Sequence, residues 1–427
     1  MFGPPPTIVL VGGWSWHRHV GDDAILRAHL TELRRALPRH ETVVVCGEPE
    51  RLARRLPLRT VWSAAAAIGD LRDPRIAHAD LTSDQLVPVV ARLVEGALDG
   101  RAGEFTELVD LVEAIERADA VVAASAGSLA AAYRVTIAEQ VVVLAIAQAL
   151  GKPTVLSGAS LGPFDDADCE LLGPALAAAD LVAVRDGTIS LGRAARLGIE
   201  AERLEVQPDP ACWMEAGPGP AVDAALARVG IESGRPFGLL TAAPWPGGLD
   251  QSGPLAAAVD AVAEATGLPF AGLPMYVPPG PNDTDALDAI RDQLADPDRL
   301  VRVDPLPDDP DLATLSARAS VVVGSRFHGA VFAAMGGTPA VLVYDGAYQR
   351  DKAESLAAST AAVRAVSLAA GADAIAAAVL EQLASDPAPL RPSGPLPAVA
   401  WLERKLSRRW GRLRALSRLL RPGTRVR

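Results

Sequence analysis

Short runs of β-branched and apolar residues alternate along the chain with longer stretches rich in Ala, Leu and Arg. In the first half, the runs that predict strands are Thr7–Gly13, Thr42–Gly47, Ala120–Ser125, Pro153–Ser160 and Leu181–Arg185. The stretches that predict helices are Asp23–Leu37, Leu108–Arg117, Ile137–Leu150 and Ser190–Leu197. This alternation is typical of a parallel sheet with helices on both faces, because each parallel connection needs a crossover.

A second alternating set follows the Gly- and Pro-rich segment Ala216–Pro220, which we interpret as an inter-domain link. Its predicted strands are Pro236–Ala243, Pro269–Met275, Leu300–Asp304, Ser320–Ser325 and Ala340–Tyr344. Its predicted helices are Leu255–Thr266, Thr284–Leu294, Leu312–Ala319 and Phe327–Met335. The pattern predicts two doubly wound Rossmann-like α/β domains, 1–213 and 214–382, facing a cleft. We expect ligands in that cleft, at the carboxyl ends of the strands.

Three segments depart from the alternation. Residues 63–106 contain no clear strand, and a helical insertion or a mobile loop near the site are both open interpretations. Residues 383–400 are rich in Pro, Ala and Ser, which predicts a linker. Residues 401–427 place leucines at helical spacing among arginines, which predicts a basic amphipathic helix. That helix either lies on an anionic membrane surface or docks on the body of the protein.

Charge and cysteine content narrow the class of protein. The net charge is −11, and residues 401–427 alone carry +9, so residues 1–400 carry −20. A body this acidic argues against nucleic acid as a partner. The three cysteines lie far apart in the sequence, which argues against a disulfide framework. No apolar run reaches the roughly 18 residues that a membrane span needs, and no signal peptide is recognised. We therefore expect a cytoplasmic protein, peripheral on the inner face of the membrane if the tail binds lipid, with no bound metal.

The most informative local pattern is the stretch Val321–Ala334, in which a buried strand turns into a helix. Arg326 and His328 lie at that turn, where the first helical N–H groups have no partner within the helix. A positive helix end beside an Arg and a His suits an anionic ligand that carries phosphate or carboxylate. The alternative is that Arg326 caps a surface turn and His328 is a packed helix residue.

Three other positions offer similar choices. Asp22 follows the first strand, so its carboxylate either faces the cleft or serves as the helix N-cap. Arg185 ends a strand beside Asp186, so it either binds an anion in the cleft, held by that neighbour, or forms a surface ion pair. Lys352 either contacts phosphate or is a solvated surface lysine.

The order of the short motifs resembles the polysaccharide pyruvyl transferase family over roughly residues 7–360. The motifs that carry the resemblance are Gly21-Asp22, Gly151-Lys152-Pro153, Gly162-Pro163-Phe164, Arg185-Asp186, Asp209-Pro210, Arg326-Phe327-His328 and Tyr344-Asp345. The resemblance implies a GT-B-like fold of two domains. It also implies transfer of a pyruvyl group from phosphoenolpyruvate to two hydroxyls of a cell-surface glycan or lipid-linked saccharide, with a ketal formed, phosphate released and no cofactor.

The resemblance suggests roles for seven residues. Arg326 and Arg185 are planar, permanently charged donors suited to the phosphate and carboxylate of the donor substrate. His328 is the expected general acid at the enol carbon, and Asp22 is expected to orient or deprotonate an acceptor hydroxyl. The turn residues and the lysine assigned to the donor site are Gly324, Ser325 and Lys352.

The chain differs from the usual family pattern at three places. His19 stands where an Asn is usual, Ser125-Ala126-Gly127 replaces a run of three glycines, and Ala243 replaces an Arg before Pro-Trp. All three lie outside the Arg326–His328 turn and concern the acceptor side more than the donor side. Two other functions remain open: a GT-B glycosyltransferase that uses a nucleotide sugar, and a non-catalytic, membrane-peripheral protein of glycan assembly.

Overall fold

The protein contains two parallel sheets in a computed structural model that describes residues 4–12, 19–71, 81–100, 102–125, 127–244, 248–303 and 309–407. The first sheet has seven strands in the order β3-β2-β1-β4-β5-β6-β7. Its strands are β1 (Thr7–Val11), β2 (Glu41–Cys46), β3 (Arg59–Trp62), β4 (Ala120–Ala124), β5 (Thr154–Ala159), β6 (Leu181–Val184) and β7 (Leu204–Val206).

The helices of this first domain connect successive strands. They are α1 (Val20–Ala36), α2 (Pro49–Arg55), α3 (Ala65–Leu71), α4 (Ser83–Leu98), α5 (Thr106–Arg117), α6 (Arg134–Ala149), α7 (Asp166–Ala177) and α8 (Ile189–Ala194). Helices on both faces bury the central strands completely, and every residue of β4 and β5 is buried. This burial explains why those strands are continuous apolar runs in the sequence.

The second sheet has six parallel strands in the order β10-β9-β8-β11-β12-β13. Its strands are β8 (Gly238–Thr241), β9 (Phe270–Gly272), β10 (Leu300–Arg302), β11 (Val321–Gly324), β12 (Ala340–Tyr344) and β13 (Val363–Ser367). Its helices are α9 (Pro220–Arg228), α10 (Ser252–Thr266), α11 (Asp283–Arg291), α12 (Asp309–Arg318), α13 (Phe327–Gly336), α14 (Gly346–Ser359) and α15 (Gly371–Leu383). The predicted pair of doubly wound α/β domains is confirmed.

Both sheets reverse their strand order at one point, between β1 and β4 in the first and between β8 and β11 in the second. The two reversal points face each other across the cleft. There His19 and Tyr276 form an antiparallel bridge, and the Val20 N–H donates to the Met275 carbonyl at 3.2 Å. Loops after strands at such a reversal point form the usual ligand crevice of an open α/β sheet.

Three strands were not predicted, and all three are edge strands. These are β3 and β7, at the two edges of the first sheet, and β13, at one edge of the second. Edge strands pair on one side only and carry polar residues that discourage further pairing. Here Arg59, Glu205 and Arg364 interrupt the apolar pattern, so the sequence signal is weak.

Within residues 63–106, the described part contains helices α3 and α4 and no strand. Helix α4 packs on α6 and α7, and its Leu86 and Leu93 are fully buried in the core of the first domain. Residues 72–80 of this segment lie outside the described residues.

After α15 the chain returns to the first domain and forms a helix at 397–407 (α16). Leu402 and Leu406, on its predicted apolar face, are buried, and Lys405 pairs with Asp180 at 3.3 Å. This helix begins inside the segment predicted as a linker. Its described part docks on the body of the protein, which was one of the two predicted alternatives. Residues 408–427 lie outside the described residues, so membrane binding by the tail stays a prediction.

One helix of the described chain, Ala131–Ala149, is long and apolar enough to cross a membrane. Most of it is buried among the helices of the first domain, which is typical of a core helix.

Candidate active site

A cavity of about 360 Å³ lies between the two reversal points. Both domains line it: His19, Asp22 and Ser128 come from the first, and Arg326 and His328 come from the second. The cavity therefore exists only where the two domains meet, as expected for a ligand site in this architecture.

Arg326 is the N-cap residue of α13, and its guanidinium reaches across to Asp283 at the start of α11. The fully buried Asp283 carboxylate accepts from Nε at 2.8 Å and also from Nη2. It also accepts the N–H groups of Met275 and Tyr276 at 2.9 and 3.0 Å. Arg326 is thus held by one edge, and its Nη1 has no partner among the described residues. The surface-turn interpretation is wrong, because this side chain is anchored in the cleft.

Gly324 and Ser325 precede Arg326 and have structural tasks at this turn. Gly324 has a φ of 142°, and a Cβ atom there would lie 1.7 Å from the Thr241 carbonyl oxygen, so only glycine fits. Ser325 lines the cavity, but its Oγ accepts the Ala243 N–H at 2.9 Å. In this structure, therefore, Gly324 shapes the turn and Ser325 holds a neighbouring loop.

Arg185 follows β6 and is almost completely buried. Its Nε donates to Ser160 Oγ at 2.6 Å, and its Nη1 donates to Asp209 at 2.7 Å. The sequence interpretation that Asp186 holds it is wrong, because the Asp186 carboxylate instead accepts from the N–H and hydroxyl of Ser190. The Nη2 of Arg185 is buried and has no hydrogen-bond partner within the described part of the chain. A guanidinium fixed in this way presents one unused donor to a ligand.

Three donors converge on Gly127 at the end of β4. A Cβ atom at this glycine would lie 2.8 Å from Arg185 Nη2 and 3.0 Å from both Lys352 Nζ and the Tyr348 hydroxyl. The Tyr348 hydroxyl donates to the Gly127 carbonyl at 2.7 Å and lies 3.2 Å from Lys352 Nζ. Because Gly127 has no side chain, these three polar groups approach its backbone closely, and we call the part of the cavity wall that they form the recess at Gly127. Its two positive charges suit a tetrahedral anion.

The predicted surface alternative for Lys352 is wrong, because its ammonium packs within the cleft over the Phe327 ring at 5.0 Å. Burial lowers the pKa of Lys352 to about 7, and the nearby Arg185 guanidinium acts in the same direction. Both effects disfavour a second positive charge in the recess. An anion beside the ammonium would oppose both effects.

His328 lies in the first turn of α13 and projects into the first domain. Its Nε2 is buried, lies 3.7 Å from Asp209 Oδ1, and has no hydrogen-bond partner among the residues that the structure describes. Burial disfavours the charged Asp209 carboxylate, but His328 and Arg185 outweigh that effect and hold the pKa of Asp209 well below its ordinary range. The ring rests against Gly21, where a Cβ atom would lie 1.9 Å from His328 Nδ1.

Asp22 lies in the first turn of α1, and the N-cap residue is His19. The N-cap interpretation of Asp22 is therefore wrong: the helix begins earlier, where the bridge between His19 and Tyr276 fixes the preceding backbone. The Asp22 carboxylate lines the cavity and lies 3.6 Å from His19 Nδ1. Burial lowers the pKa of His19 to about 4 against the opposing effect of Asp22, so His19 is neutral at physiological pH.

The sequence reasoning assigned no role to several residues of this site. Three of the chain's four tyrosines line the cavity, and these are Tyr133, Tyr276 and Tyr348. A usable signal existed for Tyr348, because it lies four residues before Lys352 and therefore on the same helix face. Asp209 was noted only as part of an Asp-Pro motif, and nothing in the local sequence indicates that Asp283 pairs with Arg326.

Solved structures with similar folds are sugar-nucleotide enzymes. The UDP-GlcNAc 2-epimerase of Neisseria meningitidis, bound to UDP-GlcNAc, has a TM-score of 0.57 at 13% identity, with 94% of this chain and 100% of that chain covered. The UDP-GlcNAc 2-epimerase of Methanocaldococcus jannaschii has a TM-score of 0.55 at 14% identity, covering 94% and 99%. The spinosyn rhamnosyltransferase SpnG, complexed with thymidine diphosphate, has a TM-score of 0.50 at 16% identity, covering 96% and 100%. These similarities establish the GT-B fold.

No curated protein sequence matches the chain. The sequence profile described as "Polysaccharide pyruvyl transferase" matches residues 19–346, which is most of the chain and includes all the cavity-lining residues except Tyr348, Gln349 and Lys352 of α14. The chain therefore belongs to the polysaccharide pyruvyl transferase family.

Proposed function

We propose that this protein transfers a pyruvyl group from phosphoenolpyruvate to two hydroxyls of a saccharide acceptor and releases phosphate. The observation that carries the proposal is the recess at Gly127, where Arg185 Nη2, Lys352 Nζ and the Tyr348 hydroxyl converge within 3.0 Å of one point. A buried, unpaired guanidinium donor is costly to maintain, and a phosphate oxygen would satisfy it. The recess is therefore assigned to the donor phosphate.

The donor carboxylate is assigned to Arg326. Arg326 lines the cavity at the start of α13, where the first N–H groups have no acceptor within the helix. Asp283 fixes the guanidinium plane, so little conformational entropy is lost when a planar carboxylate binds. Two separate cationic sites, one for each acidic group, suit a small ligand such as phosphoenolpyruvate, in which C2 carries both the phosphate and the carboxylate.

His328 is assigned as the general acid because it lines the same cavity as Arg326, Gly127 and Lys352. Its proton would pass to C3 of phosphoenolpyruvate, which converts the double bond into a methyl group and leaves positive charge at C2. The neighbouring Asp209 stabilises the protonated imidazole before transfer. One acceptor hydroxyl oxygen bonds to C2 and loses its proton. The second hydroxyl oxygen then bonds to C2 as the C2–O bond to phosphate breaks, and phosphate leaves with the bonding pair.

Calorimetry distinguishes this function from the nucleotide-sugar alternative. We expect phosphoenolpyruvate to bind, and we expect Arg326→Ala and Arg185→Ala to weaken binding by at least tenfold. Arg196→Ala is the matched control, because Arg196 is half-exposed and pairs with the exposed Asp166. Binding of UDP- or GDP-sugars without any response to phosphoenolpyruvate would refute the proposal.

The role of His328 is tested separately. We expect His328→Ala to bind phosphoenolpyruvate with near-native affinity but to lose phosphate release in the presence of an acceptor. Phosphate release at the wild-type rate in this variant would exclude His328 as the acid.

A further inference from the structure

His19 is a titratable residue in the cleft to which the donor chemistry gives no task. It lines the cavity opposite His328, and the two ring centroids are 6.5 Å apart with an interplanar angle of 80°. One imidazole belongs to the first domain and the other to the second. This separation admits one hydroxyl group between the rings, since hydrogen bonds to a catalytic base span roughly 2.6–3.2 Å.

The position of the His19 ring is fixed from two sides. The backbone bridge to Tyr276 holds its main chain, and the Tyr276 ring packs against the imidazole with centroids 5.1 Å apart. Its Nδ1 is buried, has no hydrogen-bond partner in the described residues, and lies 3.6 Å from a carboxylate oxygen of Asp22. A carboxylate near Nδ1 favours the tautomer that carries the proton on Nδ1, which leaves Nε2 as a proton acceptor.

The charge balance around His19 favours this role once the donor is bound. In the empty cleft, Arg326 and His328 add to the effect of burial and disfavour a protonated His19. The phosphate and carboxylate of the donor would offset those positive charges, which increases the proton affinity of the ring. His19 would thus become a stronger base only after the donor occupies the cleft.

We propose that His19, oriented by Asp22, accepts the proton of the first acceptor hydroxyl as its oxygen attacks C2 of the donor. This inference rests on the proposed function and extends it to the acceptor side. The hydroxyl O–H bond breaks, the new C2–O bond forms, and the proton goes to His19 Nε2, while the proton delivered to C3 comes from His328. The proton of the second hydroxyl goes to His328, which restores the acid, and the departing phosphate or solvent removes the proton from His19.

The tautomer of His19 provides a test that needs no acceptor. The chain has six histidines, so ¹⁵N-histidine NMR spectra are simple, and comparison with His19→Ala assigns the signal. We expect a neutral ring with its proton on Nδ1 at about pH 7, and a loss of that preference in Asp22→Asn. A proton on Nε2, or on both nitrogens, at that pH would overturn the proposal.

Kinetics provide the second test, with methyl hexopyranosides as acceptor probes and phosphate release as the readout. We expect His19→Ala and His19→Asn to lower kcat by roughly 10²- to 10³-fold, the usual contribution of a general base. Calorimetric affinity for phosphoenolpyruvate should stay within about threefold of the wild type, because the anion contacts are intact. His40→Ala, which changes a histidine outside the cleft, should retain the wild-type kcat.

A wild-type kcat in His19→Ala would overturn the assignment of His19. Failure of the wild-type protein to bind phosphoenolpyruvate would instead overturn the proposed function, while the NMR result on the tautomer would still stand. The two failures are therefore distinguishable in one set of protein preparations.

Discussion

The protonation of Lys352 makes donor binding depend on pH in a predictable direction. In the free protein its pKa is about 7, against an ordinary value of 10.5, because it is buried beside Arg185. A phosphate dianion in the recess would favour the charged ammonium and return the pKa toward its ordinary value. Below about pH 7 the lysine is already charged, and above it binding must take up a proton. Affinity for phosphoenolpyruvate should therefore fall as pH rises.

The size of the effect follows from linkage. If bound phosphate restored the pKa of Lys352 fully from about 7 to 10.5, the dissociation constant would rise roughly 100-fold between about pH 6 and about pH 9, or about 2.7 kcal/mol. Partial restoration would give a smaller rise of the same sign. Ionisation of the phosphate, with a pKa near 6, acts in the opposite direction but is nearly complete above about pH 7.

Calorimetry in buffers with different ionisation enthalpies measures both the affinity and the number of protons taken up. Lys352→Arg is the matched variant, because an arginine keeps its charge across this range. We expect the wild type to take up close to one proton at about pH 8.5 and the arginine variant to take up none. Equal pH slopes in the two proteins would refute the reasoning, since the lysine would then have no titration linked to binding.

Three further outcomes are expected. Gly127→Ala should reduce affinity for phosphoenolpyruvate at least tenfold in calorimetry, because the added methyl group would lie within 3.0 Å of Arg185, Lys352 and Tyr348 and displace their polar ends, whereas Gly192→Ala, with open space around it, should leave the affinity unchanged. Asp283→Asn should lower the free energy of unfolding by about 3 kcal/mol in urea titrations, because Arg326 would lose its buried partner; an unchanged midpoint would contradict this. Removal of residues 408–427 should abolish sedimentation with anionic liposomes while leaving the thermal midpoint unchanged, and continued sedimentation would assign any lipid binding to the described body.

The interior of both sheets was predictable because burial on two faces produces uninterrupted apolar strands. Val121–Ala124 and Val321–Val323 are fully enclosed, and their sequences contain no polar residue. The edge strands β3, β7 and β13 were missed because exposure on one side permits charged residues, which removes the periodic signal.

Residues of the candidate site could be predicted where a charged or titratable side chain lies at a turn between a strand and a helix. Arg326 and His328 follow a strand and begin a helix, so their position in the cleft follows from the local sequence. The pairings were not predictable, because they join distant segments. Asp283 lies 43 residues from Arg326, and Asp209, in the first domain, contacts His328 in the second. Only the packed tertiary structure determines which carboxylate restrains which cation.

The contact of His328 with Gly21 has a consequence for how the donor is protected. The ring occupies space in the opposite domain that any side chain at position 21 would fill. If the domains separated, the imidazole of His328 would lose both its contact with Gly21 and its proximity to the Asp209 carboxylate. A donor bound to the opened protein would be exposed to water, but no aligned acid would protonate its C3, so the enol phosphate would not react. In the proposed mechanism, therefore, His328 would be aligned to protonate the donor only when the two domains are closed on each other, which would limit hydrolysis of the donor in an opened molecule.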